Sequence, residues 1–182
     1  ICGVHAGFQY DLKRFFDRLK RIGFGSLGLY HYGRGINKER AAFFNSYDFD
    51  YMGHPIAIDK RFYLNDLIRI KKEQLTDSVY QKIDEDVKKA VKLQPYIKVW
   101  KTLNEPDAKM KWSPDVACVL AKRIGEVIKK NASKDSVILS PDPYNMFQKN
   151  LNWFEQYLKA GGRDLPLSPA IHIYRTRPES PD

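Results

Sequence analysis

The sequence has few of the residues on which many active sites are built. Only 2 cysteines and 4 histidines occur among 182 residues, and they do not stand at metal-ligand spacing. A glycine-rich phosphate loop and a Gly-x-Ser-x-Gly elbow are also missing from the sequence. These absences argue against zinc, P-loop and serine-hydrolase chemistry, and we expect neither a metal nor another cofactor.

Long apolar runs and paired cysteines are missing as well. No run approaches the roughly 20 apolar residues of a membrane span, so we expect no membrane partner. No signal peptide remains at Ile1, where the chain begins within a strand-like pattern, and we expect a processed or trimmed N-terminus. Cys2 and Cys118 fall on distant predicted elements, which argues against a disulfide between them. Two cysteines alone do not fix the compartment.

Basic residues, in contrast, are in excess. The chain has 31 Lys and Arg against 22 Asp and Glu, which gives a formal net charge of +9. A surface for nucleic acid is one interpretation of that excess. The basic residues lie mainly on the polar faces of predicted helices, however, where they more often form a solvated outer ring. We therefore expect no nucleic-acid partner, and an acidic polysaccharide is left open.

Strand and helix patterns alternate from the N-terminus. Residues 2–8 predict a first strand, and Leu12, Phe15, Phe16, Leu19 and Ile22 form an amphipathic stripe. Asp11 is suited to the N-cap of that helix and Gly23 to the position after its end. Residues 26–30 predict a second strand. A strand, a helix and a strand within about 30 residues indicate a βαβ unit with parallel pairing.

The same alternation returns after Thr76. Residues 79–91, 114–128 and 147–158 carry helical stripes, and Ser113-Pro114 is suited to the start of the second of them. Residues 137–140 and 170–175 predict the fifth and sixth strands. Between Gly35 and Leu75 the pattern is weaker, with a helix predicted at 40–44 and a third strand at 54–59. The aromatic residues of this stretch suit either a loop over a cleft or an ordinary core; they are Phe43, Phe44, Tyr47, Phe49 and Tyr51.

One stretch combines a buried strand with polar residues at its end. Residues 97–103 are rich in β-branched and aromatic side chains and are followed by Asn104, Glu105 and Pro106. Pro106 has no N–H for a strand ladder and predicts an extended conformation for Glu105, so the strand should end there. An amide and a carboxyl group then stand together at the C-terminal end of a strand, where α/β barrels place catalytic groups.

Residues 99–107, Val-Trp-Lys-Thr-Leu-Asn-Glu-Pro-Asp, resemble the fourth-strand motif of clan A glycoside hydrolases. Family 39 and related family 5 enzymes often read Trp-Asn-Glu-Pro-Asp there, whereas this chain has Leu103 before the asparagine. The resemblance is loose over most of the chain and most specific from about Asp77 to Arg175. It implies the α/β fold class, with residues 1–182 as a single catalytic domain of the (β/α)8 TIM-barrel type. About six βα units are present, fewer than the eight that typically need about 250 residues.

The resemblance also implies an activity. It predicts a secreted glycosidase that cleaves O-glycosidic bonds of a poly- or oligosaccharide with retention, with Glu105 as general acid/base and Asn104 bound to the sugar 2-hydroxyl. The alternative for Glu105 is a strand-end carboxylate paired with a Lys or Arg. The nucleophile of clan A is a Glu on the seventh strand, which we expect in a missing C-terminal segment or on a partner chain that completes the barrel. A non-catalytic carbohydrate-binding protein on a degenerate or truncated barrel is the alternative function.

Four further residues are candidates for substrate contact. His172 and Tyr174 share one side of the predicted sixth strand, where clan A barrels commonly place a His or Tyr in the sugar site, although a hydrogen-bonded core pair is the alternative. His31 is a candidate because it stands at the end of the predicted second strand. Trp112 either stacks on a sugar ring or caps the following helix.

Overall fold

The computed structural model describes residues 3–5, 12–29, 38–55, 69–144 and 147–170. Strands and helices alternate through these residues, as the sequence predicts. The elements are β1 (Gly3–His5), α1 (Leu12–Arg21), β2 (Ser26–Leu29), α2 (Lys38–Asn45), β3 (Asp50–Gly53), α3 (Asp77–Leu93), β4 (Ile97–Lys101), α4 (Pro114–Asn131), β5 (Val137–Leu139) and α5 (Gln148–Lys159).

The strands form one parallel sheet in the order β1-β2-β3-β4-β5. Each strand therefore lies beside the strand that precedes it in the chain. A doubly wound sheet reverses its order at a switch point, whereas an α/β barrel keeps one direction throughout. The fold is mixed α/β, and this strand order is consistent with part of an α/β barrel.

The chain returns to the sheet after α5. A parallel bridge joins Leu139 to Ser168, and the N–H of Ser140 donates to the Ser168 carbonyl at 2.7 Å. The N–H of Ser168 in turn donates to the Ile138 carbonyl at 2.8 Å. This pairing lies just before the predicted sixth strand at residues 170–175, which falls outside the described residues from position 171 onward.

The first helix largely follows its predicted stripe. Phe16 and Leu19 are buried, whereas Ile22, predicted on the same face, is 61% exposed because the helix has already ended at Arg21. Gly23 has a φ of +88°, the left-handed conformation expected just after a helix. The N–H of Phe24 donates to the Leu19 carbonyl at 3.0 Å, which satisfies one of the last carbonyl groups of the helix.

The third strand of the described sheet is β3, at Asp50–Gly53. Of the residues 54–59 where a third strand was predicted, His54 and Pro55 follow β3 and are not part of it, and residues 56–59 lie outside the described residues. Tyr51 is fully buried and Phe49 nearly so, as expected where a strand joins the core. The helix predicted at residues 40–44 is confirmed by α2.

The aromatic residues of this stretch form ordinary core. The ring of Phe16 lies 5.1–5.7 Å, between ring centroids, from those of Phe43, Phe44, Tyr47 and Phe49. Such edge-to-face and tilted contacts add to the area that the rings bury. Of the two interpretations that the sequence leaves open, the core is the one observed for these side chains.

Helices α3, α4 and α5 pack in chain order, and α4 is the most buried of the three. It begins at Pro114 with Ser113 before it, as predicted. Arg123 of α4 holds Asp84 of α3 through two hydrogen bonds, of 2.8 and 2.7 Å. The basic residues on the polar faces of α1, α3 and α4 are exposed, which supports the solvated ring. No helix among the described residues is long and apolar enough to cross a membrane.

The buried residue of α5 is Tyr157, which is not part of the predicted apolar stripe. Tyr157 is fully buried, and its ring is stacked with those of Trp153 and Phe154 at centroid distances of 5.9 and 5.8 Å. Phe147, predicted to begin the stripe, precedes the helix and is 57% exposed. Gly162 packs directly against the Tyr157 ring.

This contact makes Gly162→Ala a destabilising substitution. A Cβ at position 162 would clash with Cε1 of Tyr157, whose fully buried ring also contacts Trp153 and Phe154. We expect the free energy of unfolding to fall by about 1–3 kcal/mol in urea denaturation followed by circular dichroism. Gly25→Ala is the matched control, because a Cβ there meets nothing within 4 Å. Equal stability of the two variants would contradict the close contact.

Two buried tyrosines predict a loss of stability at high pH. The hydroxyl groups of Tyr51 and Tyr96 are buried without a hydrogen-bond partner among the described residues, and burial raises the pKa of both above its usual range. Above pH about 10 the unfolded chain therefore releases protons that the folded chain retains, and the free energy of unfolding falls as pH rises. We expect Tyr51→Phe with Tyr96→Phe to be as stable as the parent at pH 7 and less sensitive to alkali. An alkaline unfolding curve that is the same for both proteins would contradict this assignment.

Candidate functional site

Strands β4 and β5 end side by side, and polar residues follow both. The paired register reaches Lys101 and Leu139, and three residues further on a single parallel bridge joins Asn104 to Asp142. The strand therefore ends at Lys101, earlier than Pro106 alone predicts. Between these points Thr102 donates from its N–H and its hydroxyl to the Leu139 carbonyl, at 3.1 and 2.9 Å. Asn104 and Glu105 nevertheless stand beyond the C-terminal end of β4, as the sequence predicts.

Glu105 does not have the extended backbone that the following proline predicts. Its φ is +49° and its ψ is +51°, the left-handed conformation. The preference before proline is overruled because the segment is bonded on both sides. The N–H of Glu105 donates to Oδ1 of Asp142 at 3.4 Å, and its carbonyl accepts from the N–H of Ala108 at 3.2 Å. A wide helical turn, Pro106–Met110, follows directly.

A left-handed glutamate is an uncommon feature. For a residue with a Cβ this conformation costs roughly 1–3 kcal/mol, and a glycine would adopt it at no steric cost. The observation therefore favours a role for the Glu105 side chain, since the turn itself does not require one. Strained residues of this kind cluster at active sites and ligand clamps.

A buried ion pair lies beneath this turn. Nζ of Lys101 is 2.5 Å from Oδ2 of Asp142, and their side chains are 3% and 0% exposed. The same Nζ donates to Oδ1 of Asn104 at 3.2 Å. The Asp142 carboxylate thus binds the Lys101 ammonium through one oxygen and the Glu105 N–H through the other. Asn104 and Glu105 are 5% and 2% exposed, so the whole group of four residues is screened from water.

Sequence reasoning missed two members of this group, Lys101 and Asp142. Lys101 occupies the end of an apolar strand, where a lysine is unexpected unless it has a partner. Asp142 stands between Pro141 and Pro143 just after the fifth strand, at the same sheet edge as Asn104. Neighbouring parallel strands end at the same edge of the sheet. A lysine at the end of β4 and an aspartate just after β5 would therefore have predicted the Lys101–Asp142 ion pair.

Trp112 lies in the core. Its side chain is 2% exposed, and its carbonyl accepts a hydrogen bond from Nε1 of Trp153 at 2.9 Å. This placement favours packing near the start of α4 over an open stacking face, and the sugar contact stays a prediction. His31, His172 and Tyr174, the other predicted contact residues, lie outside the described residues.

A second carboxylate organises the rim of the site. Oδ1 of Asp107 accepts from the N–H of Tyr144 at 3.0 Å, and its Oδ2 accepts from Nδ2 of Asn150. Asp107 therefore ties the turn after Glu105 to the loop after β5 and to α5. That loop ends in two exposed aromatic residues, Tyr144 and Phe147, at 44% and 57%.

A cavity of about 450 Å³ lies elsewhere, between α4 and the segment that follows α5. Its lining includes Cys118, Lys122 and Leu167 but none of the four buried residues at the strand ends. Cys118 is a free, buried thiol whose Sγ donates to the Ala160 carbonyl, and burial raises its pKa. Nothing in this lining resembles the chemistry at the strand ends.

No protein-family model matches the chain, and no curated protein matches it. Among solved structures the chain is similar to Bacteroides uniformis beta-glucuronidase 2 covalently bound to cyclophellitol-6-carboxylate aziridine, with 14% sequence identity and a TM-score of 0.49. The likeness covers 87% of this chain and 21% of that chain, so this chain spans about a fifth of the other protein's length. At that identity and score the likeness carries no argument about activity.

The left-handed glutamate predicts an unusual response to Glu105→Gly. Deletion of a buried side chain ordinarily costs about 2–5 kcal/mol. Here glycine also relieves roughly 1–2 kcal/mol of backbone strain, and the buried carboxyl is removed. We therefore expect the free energy of unfolding, measured in urea, to stay unchanged or to rise by up to about 1 kcal/mol.

Lys111→Gly is the matched control for this experiment. Lys111 has the same left-handed backbone, with a φ of +53°, but its side chain is exposed. Its substitution should stabilise the protein through backbone relief alone. If Glu105→Gly lost more than about 2 kcal/mol while Lys111→Gly gained stability, Glu105 would be retained for packing rather than for function.

Proposed function

We propose that the protein is a retaining glycoside hydrolase of the clan A type, with Glu105 as the general acid/base. The observation that supports this most directly is the Glu105 carboxyl group itself. It stands beyond the C-terminal end of β4 in a strained, buried turn, with Asn104 beside it. A complete (β/α)8 barrel is part of this proposal, and the sequential parallel order of β1–β5 supports it.

The surroundings of Glu105 suit a general acid. A carboxyl group at 2% exposure loses most of the hydration that stabilises its charged form. Lys101 belongs to the same buried group, and its ammonium is paired with the Asp142 carboxylate at 2.5 Å. In this proposal Glu105 donates a proton to the leaving oxygen and later removes one from water. Because Glu105 is buried, the residues that cover it would have to move before a sugar could reach its carboxyl group.

The second carboxyl group of the reaction belongs, in this proposal, to a seventh strand. Retention requires a nucleophilic carboxylate about 5 Å from the acid/base. Asp142 is a poor candidate, because its side chain is 0% exposed and it is bound by an ammonium group and a backbone N–H. We place the nucleophile in a C-terminal segment beyond these residues or on a partner chain.

Exposed aromatic rings near the site suit a carbohydrate ligand. Tyr144 is held near the Glu105 turn by the hydrogen bond from its N–H to Asp107, and Phe147 follows three residues later in the chain. A flat ring packs well against the C–H face of a pyranose, and a tyrosine hydroxyl adds a polar contact. The substrate in this proposal is a poly- or oligosaccharide, and secretion of the enzyme follows from the resemblance to clan A.

Carbohydrate binding without hydrolysis is the second candidate function. The observation that favours it is the ion pair, since Lys101 neutralises the only other carboxylate in the buried group of described residues. Hydrolysis with retention needs two carboxyl groups, whereas the Asp142 carboxylate of this group is bound in the ion pair. A binding protein would use the same Asn104 and aromatic contacts and would release no reducing sugar.

Substitution of Glu105 by glutamine tests the acid/base role in the full-length protein. Glutamine keeps the shape of the side chain and cannot donate or accept the proton. We expect turnover of natural oligosaccharides to fall by about 100-fold or more, measured as release of reducing sugar. Aryl glycosides with a good leaving group should lose less in their first step, because that leaving group needs no protonation.

Glu126→Gln serves as the control, since Glu126 is an exposed carboxylate in the second half of α4. It should retain parental rates on both substrate types. Unchanged turnover in Glu105→Gln would rule out the acid/base assignment. Oligosaccharide binding by a full-length protein that releases no product would favour the second candidate.

A further inference from the structure

The buried ion pair has an arrangement that a stability role alone does not explain. Burial of two charges costs several kcal/mol per ion, and apolar residues of similar volume often serve stability equally well. The pair at Lys101 and Asp142 is nevertheless nearly inaccessible to water, at 3% and 0% exposure. It lies against the left-handed backbone of Glu105.

Asp142 contacts this segment at two consecutive residues. It forms the isolated parallel bridge with Asn104, and its Oδ1 accepts from the N–H of Glu105 at 3.4 Å. Its other oxygen, Oδ2, accepts from Nζ of Lys101 at 2.5 Å. Pro141 and Pro143 on either side limit the backbone freedom of Asp142, so the acceptor itself is held in place.

From these contacts we propose that Asp142 is a positioning residue for Glu105. Its Oδ1 holds the Glu105 N–H, which keeps the backbone in the left-handed conformation and orients the carboxyl group. Lys101 is the counter-ion that makes the buried carboxylate tolerable and also fixes the Asn104 amide through its 3.2 Å contact. This inference rests on the proposed acid/base role of Glu105 and adds the residues that set its geometry.

Lys101 has a different role from that of a nucleophilic lysine. Schiff-base chemistry needs a neutral amine, which a desolvated site without a counter-ion provides. Lys101 has such a counter-ion, the Asp142 carboxylate at 2.5 Å, and its Nζ donates to Asp142 and Asn104.

The experiment separates the acceptor at position 142 from the charge. Two double variants carry Lys101→Met, one with Asp142→Asn and the other with Asp142→Leu. Both lack the ion pair and the lysine contact to Asn104, so neither leaves an unpaired buried charge. Only the asparagine keeps an oxygen that can accept from the Glu105 N–H. A difference between the two variants in protection or in kcat therefore measures the effect of the acceptor oxygen at position 142.

Two readouts are compared for these variants in the full-length protein. Amide hydrogen exchange by NMR measures protection of the Glu105 N–H, with amides of the α4 core as an internal reference for folding. Steady-state kinetics on an oligosaccharide gives kcat and KM. We expect the asparagine variant to keep Glu105 protection and most of the parental kcat. The leucine variant should lose that protection and about 100-fold in kcat, with KM changed less than threefold, because the acid is misplaced while the sugar contacts remain.

Each outcome decides the proposal. Retained Glu105 protection in the leucine variant would show that Asp142 does not hold the backbone, and the inference would fail. Lost protection with an unchanged kcat would show that the contact does not serve catalysis. If the parent protein hydrolyses no glycoside, the proposed function fails, and hydrogen exchange still decides whether Asp142 holds Glu105. If both double variants unfold, the single variant Asp142→Asn takes their place. Its Glu105 N–H should stay protected if the oxygen at position 142 is the essential group.

Discussion

The arrangement of the candidate site depends on one buried ion pair. Lys101 ends β4, Asp142 follows β5, and their contact joins the two strand ends at the point where regular pairing stops. An unpaired charge at this depth would be strongly destabilising, so each member requires the other. The pair therefore joins the loops that follow β4 and β5, and its two members contact the Asn104 amide and the Glu105 N–H.

Much of the fold follows from sequence periodicity. The helices α1, α3, α4 and α5 and the strands β2 and β5 were predicted close to their observed bounds, because stripes of apolar residues and clear stop signals mark them. β4 was predicted to continue to Pro106 and ends at Lys101. β3 was not predicted at residues 50–53, since its burial depends on aromatic residues of α1 and α2 that pack from outside its own segment. Periodicity within a segment does not contain that information. The burial of Tyr157 was not predicted for a similar reason, because it depends on the ring contacts with Trp153 and Phe154 rather than on the apolar stripe.

The candidate site was predicted in part. Asn104 and Glu105 were placed at the correct sheet edge because a proline after a buried strand is a local signal. The backbone of Glu105 was predicted to be extended, which is wrong, because it is left-handed. The preference before proline is a local signal, whereas the Glu105 N–H donates to Asp142, 37 residues away. The ion pair was missed for the same reason. Partners across parallel strands become visible only when the register is known, and the register is a property of the sheet.

The separation between a basic surface and a buried site has a consequence for ionic strength. Exposed pairs such as Lys13–Asp17 and Lys98–Asp50 interact through water, where the Debye length is about 8 Å at physiological salt. Added salt weakens these pairs and also reduces the mutual repulsion of a chain with a net charge of +9. The Lys101–Asp142 pair lies beyond the reach of mobile ions. The site should therefore keep its geometry over a range of salt in which the surface electrostatics of the protein change substantially.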